Sequence, residues 1–177
     1  MANSRRPKKC TGSPAEPGEN PIPVWRCFVS PKARNEAAAV AIRRVLQEVQ
    51  TVRKRAQALS ASVEIMLASH DVPAARSAAE ELKVIAGKLD APFLRAASAQ
   101  ALGAVALAAG NVDASIGSLR EALSEWQELD APYPLAQVRT LIGLAYRKLG
   151  DEDGARLEFD AAQEAFERLG AAPDAAR

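Results

Sequence analysis

The tetrapeptide Leu89-Asp90-Ala91-Pro92 returns forty residues later as Leu129-Asp130-Ala131-Pro132, and Leu169-Gly170-Ala171-Ala172-Pro173 begins a third copy. Between the first two markers Gly103 and Gly110 map onto Gly143 and Gly150, and Ala96 and Ala122 onto Ala136 and Ala162, without a gap. A fixed period of this length is the signature of stacked supersecondary units, each covered by the next. Composition makes the unit helical. Aromatic residues are only 5% of the 177, while abundant alanine loses no side-chain entropy in a helix and lets helices approach closely. The fold class is therefore all-α. With 48% hydrophobic and 25% charged residues, the chain can bury one soluble core.

From Asn35 onward the sequence reads as helices over about 35–50, 51–69, 72–88, 92–109, 112–128, 133–149 and 152–169. Gly110-Asn111 and Gly150-Asp151 place a residue tolerant of positive φ at the end of one helix and an N-capping side chain at the start of the next. Asp90-Ala-Pro and Asp130-Ala-Pro supply a cap and then a proline in the first turn, where its missing N–H does no harm. Val138, Ile142, Ala145, Tyr146 and Leu149 share one apolar stripe, and Ala155, Phe159, Ala162, Phe166 and Leu169 another. The same offsets hold Leu102 and Ala106, then Ser115, Leu119, Ala122, Trp126 and Leu129, and one unit earlier Met66, Ala75, Ala79, Leu82 and Leu89. About three and a half helix pairs result.

Gly143-Leu144-Ala145-Tyr146, Leu149-Gly150-Asp151, Ala155, Phe159 and Ala162 resemble the tetratricopeptide pattern in residue type and spacing. Ala106 replaces its aromatic and Ser115 its alanine in the middle copy, and Val63, Met66 and His70 stand where glycine, tyrosine and glycine are expected in the first. Because forty residues exceed the ~34 of the standard repeat, the unit is tetratricopeptide-like, and the resemblance implies a right-handed α-solenoid. The stretch from Leu129-Asp-Ala-Pro-Tyr133 through Leu149-Gly-Asp-Glu-Asp-Gly154 to Phe166-Glu-Arg-Leu-Gly-Ala-Ala-Pro-Asp174 is also similar to the helical repeats preceding the DNA-binding domain of large, ATP-binding LuxR-type transcriptional regulators. That likeness spans roughly 33–177 and implies a regulatory sensor arm. No G-x-x-x-x-G-K-[ST] occurs and no recognition helix follows, so neither ATP nor DNA binding is expected of this chain.

Residues 1–32 read differently, as a disordered, Pro-rich basic tail, with prolines at 7, 14, 17, 21, 23 and 31. Within it only Val24-Trp25-Arg26-Cys27-Phe28-Val29 is apolar enough to dock, and the open end of the first helix pair is a natural place. The net charge of +1 hides an asymmetry: residues 1–58 carry a balance of +8 and residues 59–177 one of −7. Arg5, Arg6, Lys8 and Lys9 could meet phosphate, which makes a basic-tailed adaptor touching nucleic acid the alternative reading. Cys10 and Cys27, the only cysteines, lack the spacing of a disulfide scaffold or metal knuckle. No stretch is apolar enough to span a bilayer, and no h-region follows the basic N-terminus, so a cytoplasmic protein without membrane contact is expected.

Catalytic chemistry finds no foothold. His70 is the only histidine, and its register matches the turn positions of Gly110 and Gly150, which marks it as a turn residue. Asp151-Glu152-Asp153-Gly154 begins like a calcium loop, but the twelfth position, where a bidentate glutamate is needed, is Ala162; helix capping explains it better. Glu80, Glu81, Glu125 and Glu128 read as solvated faces, with no confining pocket to split carboxylate pKa values. No enzyme activity, cofactor or metal is expected.

A surface remains. The first helix of each pair should line the inner side of the stack, and register places Gln57, Ser60 and Glu64 there in one unit, Gln100 and Ala104 in the next, and Gln137, Thr140 and Arg147 in the third. These residues form the expected partner-binding groove for a protein or peptide, and it lacks the repeated Lys and Asn that clamp a terminal carboxylate. The outer side of the last helix should expose Phe or Leu side chains, which would favour a homodimer through that end. A third reading is a chain left without independent function by truncation of a longer gene.

Overall fold

A computed structural model of the chain describes residues 31–49 and 51–170. Among these residues there are seven helices and no strand: α1 (Pro31–Glu48), α2 (Val52–Ala68), α3 (Val72–Leu89), α4 (Pro92–Ala108), α5 (Val112–Glu128), α6 (Pro132–Leu149) and α7 (Glu152–Arg168). The expectations for residues 1–30, including the basic cluster and the docking of Val24–Val29, and for the third marker beyond Gly170 lie outside the described residues. α1 starts at Pro31 rather than at Asn35, because proline's fixed φ suits a first helical position.

The turns obey one rule at two sequence types. Positive φ recurs at residues 70, 90, 110, 130, 150 and 170, one every twenty residues. Glycine fills three of these positions, whereas His70 (φ 60°), Asp90 (φ 43°) and Asp130 (φ 49°) are non-glycine. At four turns the N–H after the positive-φ residue reaches back to a carbonyl five residues earlier: Asp71 to Met66, Asn111 to Ala106, Ala131 to Trp126 and Asp151 to Tyr146. This closure satisfies carbonyls that the helix end leaves without a partner. Asp71, Asn111 and Asp151 then cap the next helix by accepting the N–H of Ala74, Ala114 and Gly154. Asp90 and Asp130 were expected as caps of this kind but instead occupy the left-handed positions. Ala91 and Ala131 take the N-cap places without a side-chain bond, and Pro92 and Pro132 follow as first helical residues.

Each helix packs on its chain neighbours, and α4 additionally touches α2 and α6. The first helices of the three complete pairs thus stand side by side, while α3, α5 and α7 back them. Close approach within a pair has a visible cause. A Cβ added at Gly103 would lie 2.6 Å from Leu119 Cγ, and one at Gly143 would lie 2.7 Å from the Phe159 ring. Gly103 also lets Ser115 Oγ donate to its carbonyl at 2.8 Å in the buried seam. At the mouth of these seams Phe93 meets Trp126 edge-on at 5.3 Å, and forty residues on Tyr133 meets Phe166 at 5.6 Å, a geometry aromatic quadrupoles favour.

Four stripe residues differ from expectation. Leu89, Leu129, Leu149 and Leu169 are exposed; each lies at a helix end, beyond the reach of the facing helix. Glu81 and Glu125 are not merely solvated: they pair with Arg55 and Arg95 across their helix pairs, and Arg139 meets Glu158 at 3.0 Å in the third. The hydrogen bond to its glutamate raises the pKa of each of the Arg55 and Arg95 guanidinium groups. On α7 the expected apolar exposure reduces to Leu157 and Leu169, since Phe159 is half-buried and Phe166 buried, with Arg156, Asp160, Gln163 and Glu164 sharing the outer surface.

Candidate functional site

The side-by-side arrangement of α2, α4 and α6 creates an open cavity of about 330 Å³. Its floor is apolar: Val63 and Leu67 from α2, Ala97 and Ala101 from α4, Leu141 from α6, with Phe166 closing it from α7. Polar side chains stand over this floor, Ser60 and Glu64 on one wall, Gln100 in the middle, Gln137 and Thr140 on the other. A cavity of this make-up, mostly apolar with a few placed polar groups, has the character of a binding site.

Six of the eight groove residues read from the register, Ser60, Glu64, Gln100, Ala104, Gln137 and Thr140, line this one cavity. Gln57 and Arg147 do not. The lining runs over 60–67 on α2, 97–104 on α4 and 137–141 on α6. With the forty-residue period removed, the α4 stretch corresponds to 57–64 and the α6 stretch to 57–61, so the cavity crosses the helices obliquely. Gln57 falls off its near side, exposed one turn before Ser60. Arg147 lies beyond its far side, where its guanidinium sits 4.7 Å above the Phe159 ring and 4.0 Å from Glu152. Phe166 packs in the core of the last pair and lines the cavity as well.

Hydrogen bonding divides the polar residues into occupied and available groups. Gln100 is tied to the core: its Oε1 accepts from Trp126 Nε1 at 2.8 Å, and its Nε2 faces Gln137 Oε1 at 3.5 Å. Thr140 donates its hydroxyl to the Ala136 carbonyl. Among the described residues, the Ser60 hydroxyl, the Glu64 carboxylate and the Gln137 Nε2 have no hydrogen-bond partner. Glu64 is the single charged residue of the lining. Its side chain is open along the groove, yet the surrounding wall desolvates it enough to raise its carboxyl pKa above the ordinary value.

His70 lies outside this cavity at its turn, and Asp151 is engaged as the α7 cap. No group of three or more His, Cys, Asp or Glu that could hold a metal ion occurs among the described residues, and no described helix is long and apolar enough to cross a membrane. No protein-family model matches the chain, and no curated protein matches it.

Proposed function

We propose that the chain is a non-catalytic, cytoplasmic interaction module whose α2–α4–α6 groove holds a segment of a protein or peptide partner. The observation that carries this reading is the juxtaposition in one open cavity of an apolar floor with polar groups left available at Ser60, Glu64 and Gln137. A partner's apolar side chains would cover the floor while its backbone met the amide and hydroxyl groups. The tetratricopeptide-like spacing supports a right-handed solenoid presenting its inner face. The likeness of residues 129–174 to the sensor arms of LuxR-type regulators supports a role in transcriptional control by protein contact rather than by DNA contact.

The test fills the groove without touching the core. Ala104 is half-buried in the lining, so Ala104→Trp should abolish recovery of bound partners from the cells that make the protein. Leu157→Glu, on the outer surface, should leave that recovery unchanged. Gln100 is unsuitable because it holds Trp126. Equal recovery with the Ala104→Trp variant, folded by circular dichroism, would remove the groove from the account.

A further inference from the structure

The helices that frame the groove share one acidic residue. α2, α4 and α6 hold seven Lys or Arg residues and a single carboxylate, Glu64, which stands in the groove lining. We propose that the groove selects an extended partner segment with one basic side chain among apolar ones, that side chain meeting Glu64. This rests on the reading of the groove as a binding surface and makes Glu64 its specificity-determining residue.

The cations of these three helices are engaged elsewhere. Arg55 and Arg95 reach back to Glu81 and Glu125 on the outer helices, and Arg139 to Glu158. Arg147 lies over the Phe159 ring, and Lys148 Nζ donates to the Leu107 carbonyl at 2.8 Å. Arg53 and Lys54 precede Glu64 on α2 by ten residues or more, about 15 Å along the axis. Glu81, Glu125 and Glu158 are thus neutralised within their helix pairs, whereas Glu64 has no ion-pair partner among the described residues.

A cation gains more at Glu64 than at an acid on an open helix surface. Glu64 shares the lining with Val63, Leu67, Ala101 and Ala104, and this wall desolvates it enough to raise its carboxyl pKa. In such surroundings an opposite charge is screened less than in bulk water, and its approach offsets the cost of desolvation. Glu36 on α1 is the competing acid, since it too lacks an ion pair and lies one turn from the exposed Val40. It stands on the rounded surface of a single helix among exposed residues 37, 40 and 41, where ion pairs contribute little.

The span of the cavity sets the form of the occupant. Its lining crosses three helices, from α2 to α6, a distance of about 20 Å at ordinary helix spacing. The carboxylate lies on the α2 side and the available donor, Gln137 Nε2, on the α6 side. A free amine would meet only the first. About six extended residues cover the distance, with a basic side chain over α2, a backbone carbonyl at Gln137 and apolar side chains on the floor between them.

Selection from a library of randomised octapeptides on the immobilised full chain tests it. Peptides retained by the parent and lost with Ala104→Trp should carry Arg or Lys at one position about fivefold more often than Asp or Glu. Glu64→Gln, which removes the charge and keeps the shape, should abolish that preference, and Glu64→Lys should turn it toward Asp or Glu, both variants being checked for folding by circular dichroism. Glu36→Gln should leave it intact. A basic preference that survives Glu64→Gln, or one that Glu36→Gln removes, would overturn the proposal. The two readings fail separately: groove-dependent peptides without any charge preference would keep the groove and reject its basic occupant, whereas no peptide sensitive to Ala104→Trp would remove both.

Discussion

The first complete pair, α2–α3, and the last, α6–α7, solve the same packing problem with the volume on opposite sides of the seam. In the last pair Gly143 faces the Phe159 ring, and in the middle pair Gly103 faces Leu119. At the equivalent places the first pair has Val63 and Ala79, both buried in one apolar cluster. A second exchange lies one turn along the outer helix: Leu82 and Ala86 in the first pair stand where Ala122 and Trp126, then Ala162 and Phe166, stand later, and all six are buried. The absence of glycine at position 63 is thus compensated rather than a loss of the repeat. What the period keeps is a larger side chain set beside a smaller one in a filled seam, as close-packed interiors require, rather than a fixed residue at each place.

This comparison can be broken most severely at Trp126. Trp126→Ala should cost about 4 kcal/mol by leaving a cavity and freeing Gln100 Oε1. Adding Ala122→Leu, which recreates the Leu82/Ala86 arrangement, should recover part of that loss in chemical denaturation. No recovery would show that the two arrangements are not interchangeable. Next in size, Gly143→Val should cost about 2–3 kcal/mol by overpacking against Phe159, and the double variant with Phe159→Ala should be more stable than the sum of the single effects by a coupling of about 1–2 kcal/mol. A strictly additive cycle would dismiss the shared-volume reading.

The turns offer a gentler test. Since His70 occupies the left-handed place that Gly110 and Gly150 fill, His70→Gly should raise stability by up to about 1 kcal/mol, seen as a higher melting temperature. Gly110→His should lower it by a similar amount. Smallest is a pH effect at Glu64. Partial desolvation by the groove wall raises its carboxyl pKa in the folded state, so its protonated form favours folding. The favourable contribution is complete below the ordinary glutamate value and is lost as pH rises through the raised one. Glu64→Gln should therefore be slightly more stable than the parent at neutral pH, with the difference fading as acid is added. A difference that grows in acid would reverse the sign.

The helices and turns were legible because each is set by local chemistry: a residue tolerant of positive φ, a cap, a proline in the first turn. The face of each inner helix was legible for the same reason, which is why Ser60, Glu64, Gln100, Gln137 and Thr140 were readable from register alone. Relations between helices were not. A helical wheel gives an angle but not the oblique course of the cavity, so it includes Gln57 and Arg147, and it cannot foresee that a ring 4.7 Å away would engage the Arg147 guanidinium. It likewise assigns Asp90 and Asp130 a capping role, because an Asp before Ala-Pro looks the same whether it caps the next helix or ends the last one. The Arg55–Glu81 and Arg95–Glu125 pairs join residues on different helices, which no single-helix pattern contains.

The central proposal is that the α2–α4–α6 face, and not the exposed side of α3, is where this chain would meet a partner. A photoreactive phenylalanine placed at Thr140 in the groove and, separately, at Val84 on the exposed side of α3 tests it most directly in the cells that make the protein. The account predicts a discrete cross-linked partner from Thr140 that Ala104→Trp removes, and none from Val84. The same partner cross-linked from Val84, or a Thr140 product insensitive to Ala104→Trp, would contradict it.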